Sequence, residues 1–131
     1  MKNLNRLFFV VVIFSALVVF SFSPAKVYGQ GKTKEETLAQ FPQPVSGIFG
    51  NSCVGCHNDQ SKGKSKEFLN LSDWNKLTAK DKKKTSKHIS KMVRKNLMPP
   101  ADAVEKYPQI ALKPEQAQTI RDWASAVKKG K

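Results

Sequence analysis

The chain has 131 residues, with 23 Lys and Arg against 10 Asp and Glu, a formal net charge of +13. That length leaves room for one small domain and excludes a large multidomain enzyme. Its two cysteines and two histidines lack zinc-finger spacing, so a structural zinc site is excluded too.

The first predicted element is a targeting segment. A short basic start, Met1–Arg6, precedes 16 almost wholly apolar residues from Leu7 to Phe22. A bilayer-spanning helix needs about 20, so the pattern predicts a secretory signal peptide over residues 1–29, cut after Gly29. The alternative is an uncleaved N-terminal membrane anchor. No cysteine precedes Cys53, so a lipid anchor at the junction is not expected. Either way the folded part is expected in the periplasm or otherwise outside the cytoplasm. Removing Lys2, Arg6 and Lys26 leaves 20 basic against 10 acidic residues, a net +10. Such a balance favours acidic partners or an anionic surface.

Residues 30–44 read as a polar linker. Within it Thr33 and Glu36 have capping-box spacing, which predicts a short helix, and Phe41-Pro42-Gln43-Pro44 ends it. From Val45, apolar residues at helical spacing (Val45, Ile48, Phe49) continue through Ser52 to Cys53 and Cys56, predicting both thiols on the apolar face of one helix. Gly47 and Gly50 suit a close helix crossing or a loop.

Cys53-Val54-Gly55-Cys56-His57 is a C-x-x-C-H pentapeptide, the attachment signature of c-type haem. Two thiols three positions apart can each form a thioether with one vinyl group, and the adjacent imidazole then serves as proximal iron ligand. A redox-active thiol pair belongs near a βαβ pattern, and no such pattern occurs. Export and covalent haem also fit each other, whereas a disulfide across the pair and two thioethers are mutually exclusive.

Residues 58–66 read as a polar loop. Ser72 then suits the N-cap of a helix carrying Trp74. Trp74 reads either as core packing or as an indole donor to a haem propionate. Ala79 to Asn96 predicts an amphipathic helix. Its Lys80, Lys84, Lys87, Lys91 and Lys95 form a stripe opposite Ile89, Met92 and Val93, with His88 on the border. The early lysines oppose the helix dipole, which predicts a fraying first turn. Leu97-Met98-Pro99-Pro100 stops that helix and holds an extended turn. Residues 101–111 read as a loop with Tyr107 and Ile110 turned inward. Pro114 opens a last helix, with Ala117, Ile120, Trp123, Ala124 and Val127 on one arc and Gly130 at its end.

Helix, CVGCH, loop, helix, a Met-Pro segment and a final aromatic-bearing helix together resemble a small monohaem cytochrome c. More closely, the chain resembles the exported monohaem haem-binding domain family. The shared pieces are CVGCH, Leu69–Trp74 (LNLSDW), Leu97–Pro100 (LMPP), and Tyr107-Pro108, Ala111-Leu112 and Trp123. It departs at Lys113-Pro114, where relatives often carry an acid or hydroxyl cap. The resemblance implies an all-α domain over residues 45–131, three to four helices wrapped around one covalently attached haem. In that fold the first and last helices cross, so Ile48 and Phe49 should meet Ile120 and Trp123.

The implied site is Cys53 and Cys56 on haem, His57 and Met98 as axial ligands, with Trp74, Pro99 and Tyr107 as haem contacts and His88 as the alternative distal ligand. Met98 is favoured because its proline-held segment can present one side chain without breaking helix hydrogen bonds, whereas Met92 sits within a helix on an apolar face. The expected function is one-electron transfer, not catalysis, through a six-coordinate iron without a vacant substrate position, and the lysine stripe is expected to dock an acidic redox partner. A haem enzyme or gas sensor with an open or His-ligated distal site is the alternative. Export and a lysine stripe without interleaved aromatics argue against nucleic acid.

Overall fold

The computed structural model describes residues 31–130; the expectations for residues 1–29 lie outside the described residues. The fold is all-α, without strands among the described residues.

Helix α1 (Lys34–Leu38) opens with the predicted capping box. Thr33 Oγ1 accepts from Glu36 N at 3.2 Å, and Thr33 N donates to Glu36 Oε2 at 2.8 Å. The linker reading of residues 30–44 is corrected here: residues from Gly31 onward belong to the folded unit. Thr37 is 0% and Phe41 6% exposed. The polar composition misleads because those side chains bond to protein rather than to water. Thr37 and Ser72 share a buried hydroxyl pair at 2.9 Å, Lys32 Nζ donates to Ser72 O at 2.7 Å, and Gln40 Oε1 accepts from Asn75 N at 2.9 Å.

Helix α2 (Val45–Ser52) buries Val45, Ile48 and Phe49. Gly50 lies where α1 passes close: a Cβ there would stand 2.8 Å from Leu38 Cδ1 and would have to displace the end of that side chain, whereas Gly47 meets no such neighbour. The helix stops at Ser52, four residues short of the expected reach to Cys56. Cys56 N and His57 N both donate to Cys53 O at 3.1 Å, so the pentapeptide is a pair of tight turns hung on the helix end.

The stretch read as loop, residues 58–66, runs into α3 (Ser65–Phe68), followed by a 3₁₀ helix, Leu71–Lys76. Its cap is Asn70, whose Oδ1 accepts from Ser72 N at 3.0 Å, in place of the expected Ser72. Ser72 is instead buried, its hydroxyl also accepting from Asp59 N at 3.2 Å.

Helix α4 (Ala79–Arg94) exposes Lys80, Lys84, Lys87 and Lys91 and buries Ile89 and Val93; Lys95, its C-cap, is exposed too. Its first turn is pinned rather than frayed. Asp81 N donates to Thr78 Oγ1 at 3.2 Å, Thr78 Oγ1 donates to Asp81 Oδ2 at 2.6 Å, and the Asp81 charge offsets the adverse lysines there. The helix ends two residues before Asn96, in a Schellman motif: Leu97 N donates to Met92 O at 2.9 Å and Asn96 N to Val93 O at 3.1 Å. Asn96 supplies the left-handed residue, φ 53°, that this closure needs. The chain therefore leaves α4 turned sharply, with Met98 next.

Helix α5 (Ala101–Lys106) and a 3₁₀ turn, Pro108–Ile110, occupy the segment read as loop. Helix α6 (Pro114–Lys129) starts with proline in its first turn and ends at Gly130, φ 79°. Lys113 gives this helix no side-chain cap; Gln116 Oε1 accepts from Lys113 N at 2.9 Å and so satisfies that one donor.

Helix α6 packs along α4 and crosses α2. Phe49 and Trp123 meet edge to face, centroids 5.3 Å apart at 88°, as the resemblance implies. Phe41 and Trp74 complete a four-ring cluster: Phe41 lies 4.9 Å from Phe49, 5.3 Å from Trp74 and 5.9 Å from Trp123, and Trp74 lies 5.3 Å from Trp123. Ile120, Leu71, Ile89 and Val93 surround these rings.

Candidate haem site

Beside this core lies a cavity of 470 Å³, within the usual range for cofactor sites. One part of its wall comes from the end of α2 and the pentapeptide: Phe49, Ser52, Cys53, Cys56 and His57. Another comes from α4 and the segment after it: His88, Ile89, Met92, Val93, Met98, Pro99 and Pro100. Phe68, Leu69, Leu71, Ala103, Ile110 and Leu112 fill the rest. The lining is overwhelmingly hydrocarbon, as a porphyrin face demands.

His57 is held from two sides. Its Nδ1 lies 3.0 Å from Ser65 O and 2.9 Å from Leu69 O. Both partners are carbonyls, so Nδ1 is the nitrogen that carries a proton, which leaves Nε2 as the atom for a metal. The backbone is clamped as well, with Leu71 N donating to His57 O at 3.0 Å. The clamp depends on loop closure by Asp59, which accepts from Asn70 Nδ2 at 2.6 Å and Lys32 N at 3.3 Å. The Asn70 bond, more than nearby lysine charge, holds the Asp59 carboxyl below its ordinary range.

The thiols are free; Cys53 is partly buried and Cys56 exposed. Burial, with the Cys56 thiol adding to it, pushes the Cys53 thiol up to about 12. A disulfide-exchange nucleophile has the opposite shift. Two thiols on an apolar wall with an oriented imidazole suit haem.

Of the remaining expected contacts, Met98, Pro99 and the alternative ligand His88 all line the cavity. Trp74 does not: it is consumed by the aromatic cluster, with Lys82 Nζ 5.8 Å above its ring, which favours packing over a propionate bond. Tyr107 does not either. It is 47% exposed beside Lys106, because the turn after α5 directs Ile110 inward instead. The reasoning from sequence missed the carbonyls of Ser65 and Leu69 and the wall residues Phe68 and Leu112. A usable signal was present in Leu69-Asn70-Leu71, where Leu69 lines the cavity and Leu71 both lines it and joins the core.

Fold and cavity together define a small all-α domain with an apolar cavity of cofactor size. The haem-binding domain family matches residues 59–126, just over half of the sequence, and the chain belongs to that family. It is a haem protein. The match begins two residues after His57 and includes the LNLSDW, LMPP and Trp123 stretches, so the family assignment and the pentapeptide are separate observations. No curated protein and no solved structure matches the chain.

Proposed function

We propose that the protein is an exported monohaem c-type cytochrome that passes single electrons and performs no bond chemistry of its own. One observation carries this reading: the cavity that admits Cys53, Cys56 and His57 also admits Met98. Cys53 and Cys56 would hold haem c by thioethers, His57 Nε2 would be the proximal ligand and Met98 the distal one. Bound haem supplies a one-electron iron couple, and His/Met ligation sets it at a fairly high potential. Met98 is preferred because it lies just past the Schellman turn, outside the helix. Met92 lies within α4 between buried Ile89 and Val93, and His88 is exposed. Oxidised and reduced visible spectra of protein secreted from a cell with haem-attachment machinery test this directly. The expected result is low-spin, six-coordinate iron in both states. A high-spin spectrum that changes at once with carbon monoxide or cyanide would favour a sensor or enzyme with an open distal site.

Export rests on the pattern of residues 1–29, and contact with a membrane, if the segment is uncut, would be through Leu7–Phe22. The partner is an acidic redox protein rather than a nucleic acid, supported by the exposed Lys80, Lys84, Lys87 and Lys91 of α4 and Lys95 at its C-cap. At about 0.15 M salt such a field reaches only about 8 Å. Electron-transfer rates to an acidic partner should therefore fall steeply with ionic strength, and the double variant Lys84→Glu/Lys87→Glu should flatten the slope. An equal slope in wild type and variant would mean that the stripe is solvated surface alone.

A further inference from the structure

We propose that His88 binds a haem carboxylate, and so influences the reduction potential from the cavity wall rather than as an iron ligand. This deepens the function proposed above and rests on it, in that haem must fill the cavity with its vinyl groups at the cysteines. The two propionate carboxylates of haem then lie at the opposite edge. An ionised carboxylate is costly to place against hydrocarbon unless it meets a donor or stays in water.

The wall offers few donors. Its side chains with a polar hydrogen are Ser52, Cys53, Cys56, His57, Ser65 and His88. The cysteines mark the vinyl edge, and Ser52 adjoins Cys53 at the end of α2. Its hydroxyl is buried without a partner among the described residues, but it stands at the edge a carboxylate does not occupy. Ser65 lies on the imidazole side, where its carbonyl meets His57 Nδ1 at 3.0 Å. His57 is committed to that carbonyl, to Leu69 O and to iron. His88 remains. It lines the cavity and is also exposed, so its ring joins the apolar wall to water, where a carboxylate can gain a donor and keep part of its hydration. Lys84 and Lys91, about one helical turn to either side, are exposed and add positive charge to the same stretch of α4. The single acidic residue of α4, Asp81, is tied to its N-cap nearly two turns away.

The test is an equilibrium redox titration of the haem-loaded protein, comparing wild type with His88→Gln, which keeps an N–H donor, and with His88→Phe and His88→Ala, which do not. Loss of the donor leaves the carboxylate charge less compensated and favours ferric iron. At the wild-type midpoint, His88→Phe and His88→Ala should lower the reduced-to-oxidised ratio by up to roughly two- to tenfold, the full worth of one hydrogen bond being the upper bound, because only the part that differs between ferric and ferrous protein moves the equilibrium. His88→Gln should recover most of that loss, and ferric spectra should be unchanged throughout. Midpoints equal to wild type in the Phe and Ala variants would overturn the proposal. So would a change of iron coordination in either, which would make His88 a ligand. Wild type that never acquires haem in vivo would sink the parent reading, and is seen before any variant is made.

Discussion

Met98→Ala is expected to change the iron more than any other single substitution outside the pentapeptide. Oxidised wild type should show the weak red-edge absorption that Met–iron ligation gives in the resembled class, and the variant should lose it. The potential should fall by on the order of 0.1–0.3 V, a sizeable part of the ~0.8 V range over which axial ligands act. Carbon monoxide and cyanide should then bind readily to a position that the thioether had closed. Met92→Leu should leave band and potential in place, because Met92 sits within α4 beside buried Ile89 and Val93. A band that survives Met98→Ala would transfer the distal role to Met92. A spectrum typical of two imidazoles in wild type would transfer it to His88.

Trp123→Ala should be the most damaging core substitution. Trp123 is 8% exposed and meets Phe41, Phe49 and Trp74, which makes it a hub of the ring cluster. Truncating a buried aromatic costs about 3–5 kcal/mol, against about 5–15 kcal/mol for a whole domain. A domain of this size has a modest core, so urea unfolding of the haem-loaded variant should begin at a much lower midpoint. Lys83→Ala, on the exposed face of α4, should stay within about 0.5 kcal/mol of wild type. Equal midpoints for Trp123→Ala and wild type would mean that haem, not the ring cluster, holds α2 against α6.

What the sequence revealed follows from which interactions are local. The pentapeptide is contiguous and its chemistry is written in its spacing. The capping box at Thr33, the amphipathic periods of α4 and α6, and the Pro114 and Gly130 boundaries are likewise short-range. The ring pair Phe49–Trp123 was accessible through family resemblance, not through periodicity. Other features depend on partners distant in sequence. Residues 30–44 read as linker because nothing nearby shows that Thr37 will meet Ser72, 35 residues on. The α2 pattern ran on to Cys56 because apolar spacing cannot register that the backbone breaks into turns at Cys53. The double clamp on His57 Nδ1 uses main-chain carbonyls, which leave no mark on residue identity. Trp74 and Tyr107 could be weighed as haem contacts by chemical type alone. Their placement in the ring cluster and at the surface is decided by tertiary packing.

The central claim is that Cys53 and Cys56 hold haem covalently with His57 beneath it. The measurement closest to that claim is acid–acetone extraction of the secreted protein, followed by haem staining after denaturing electrophoresis and mass determination of the chain. Wild type should keep all its haem, with one haem mass added to the polypeptide. Cys53→Ala and Cys56→Ala should each retain at most one thioether and accumulate poorly, and the double variant should give up its haem to the solvent. Wild-type haem that passes entirely into the acetone, leaving a chain of unmodified mass, would contradict the account.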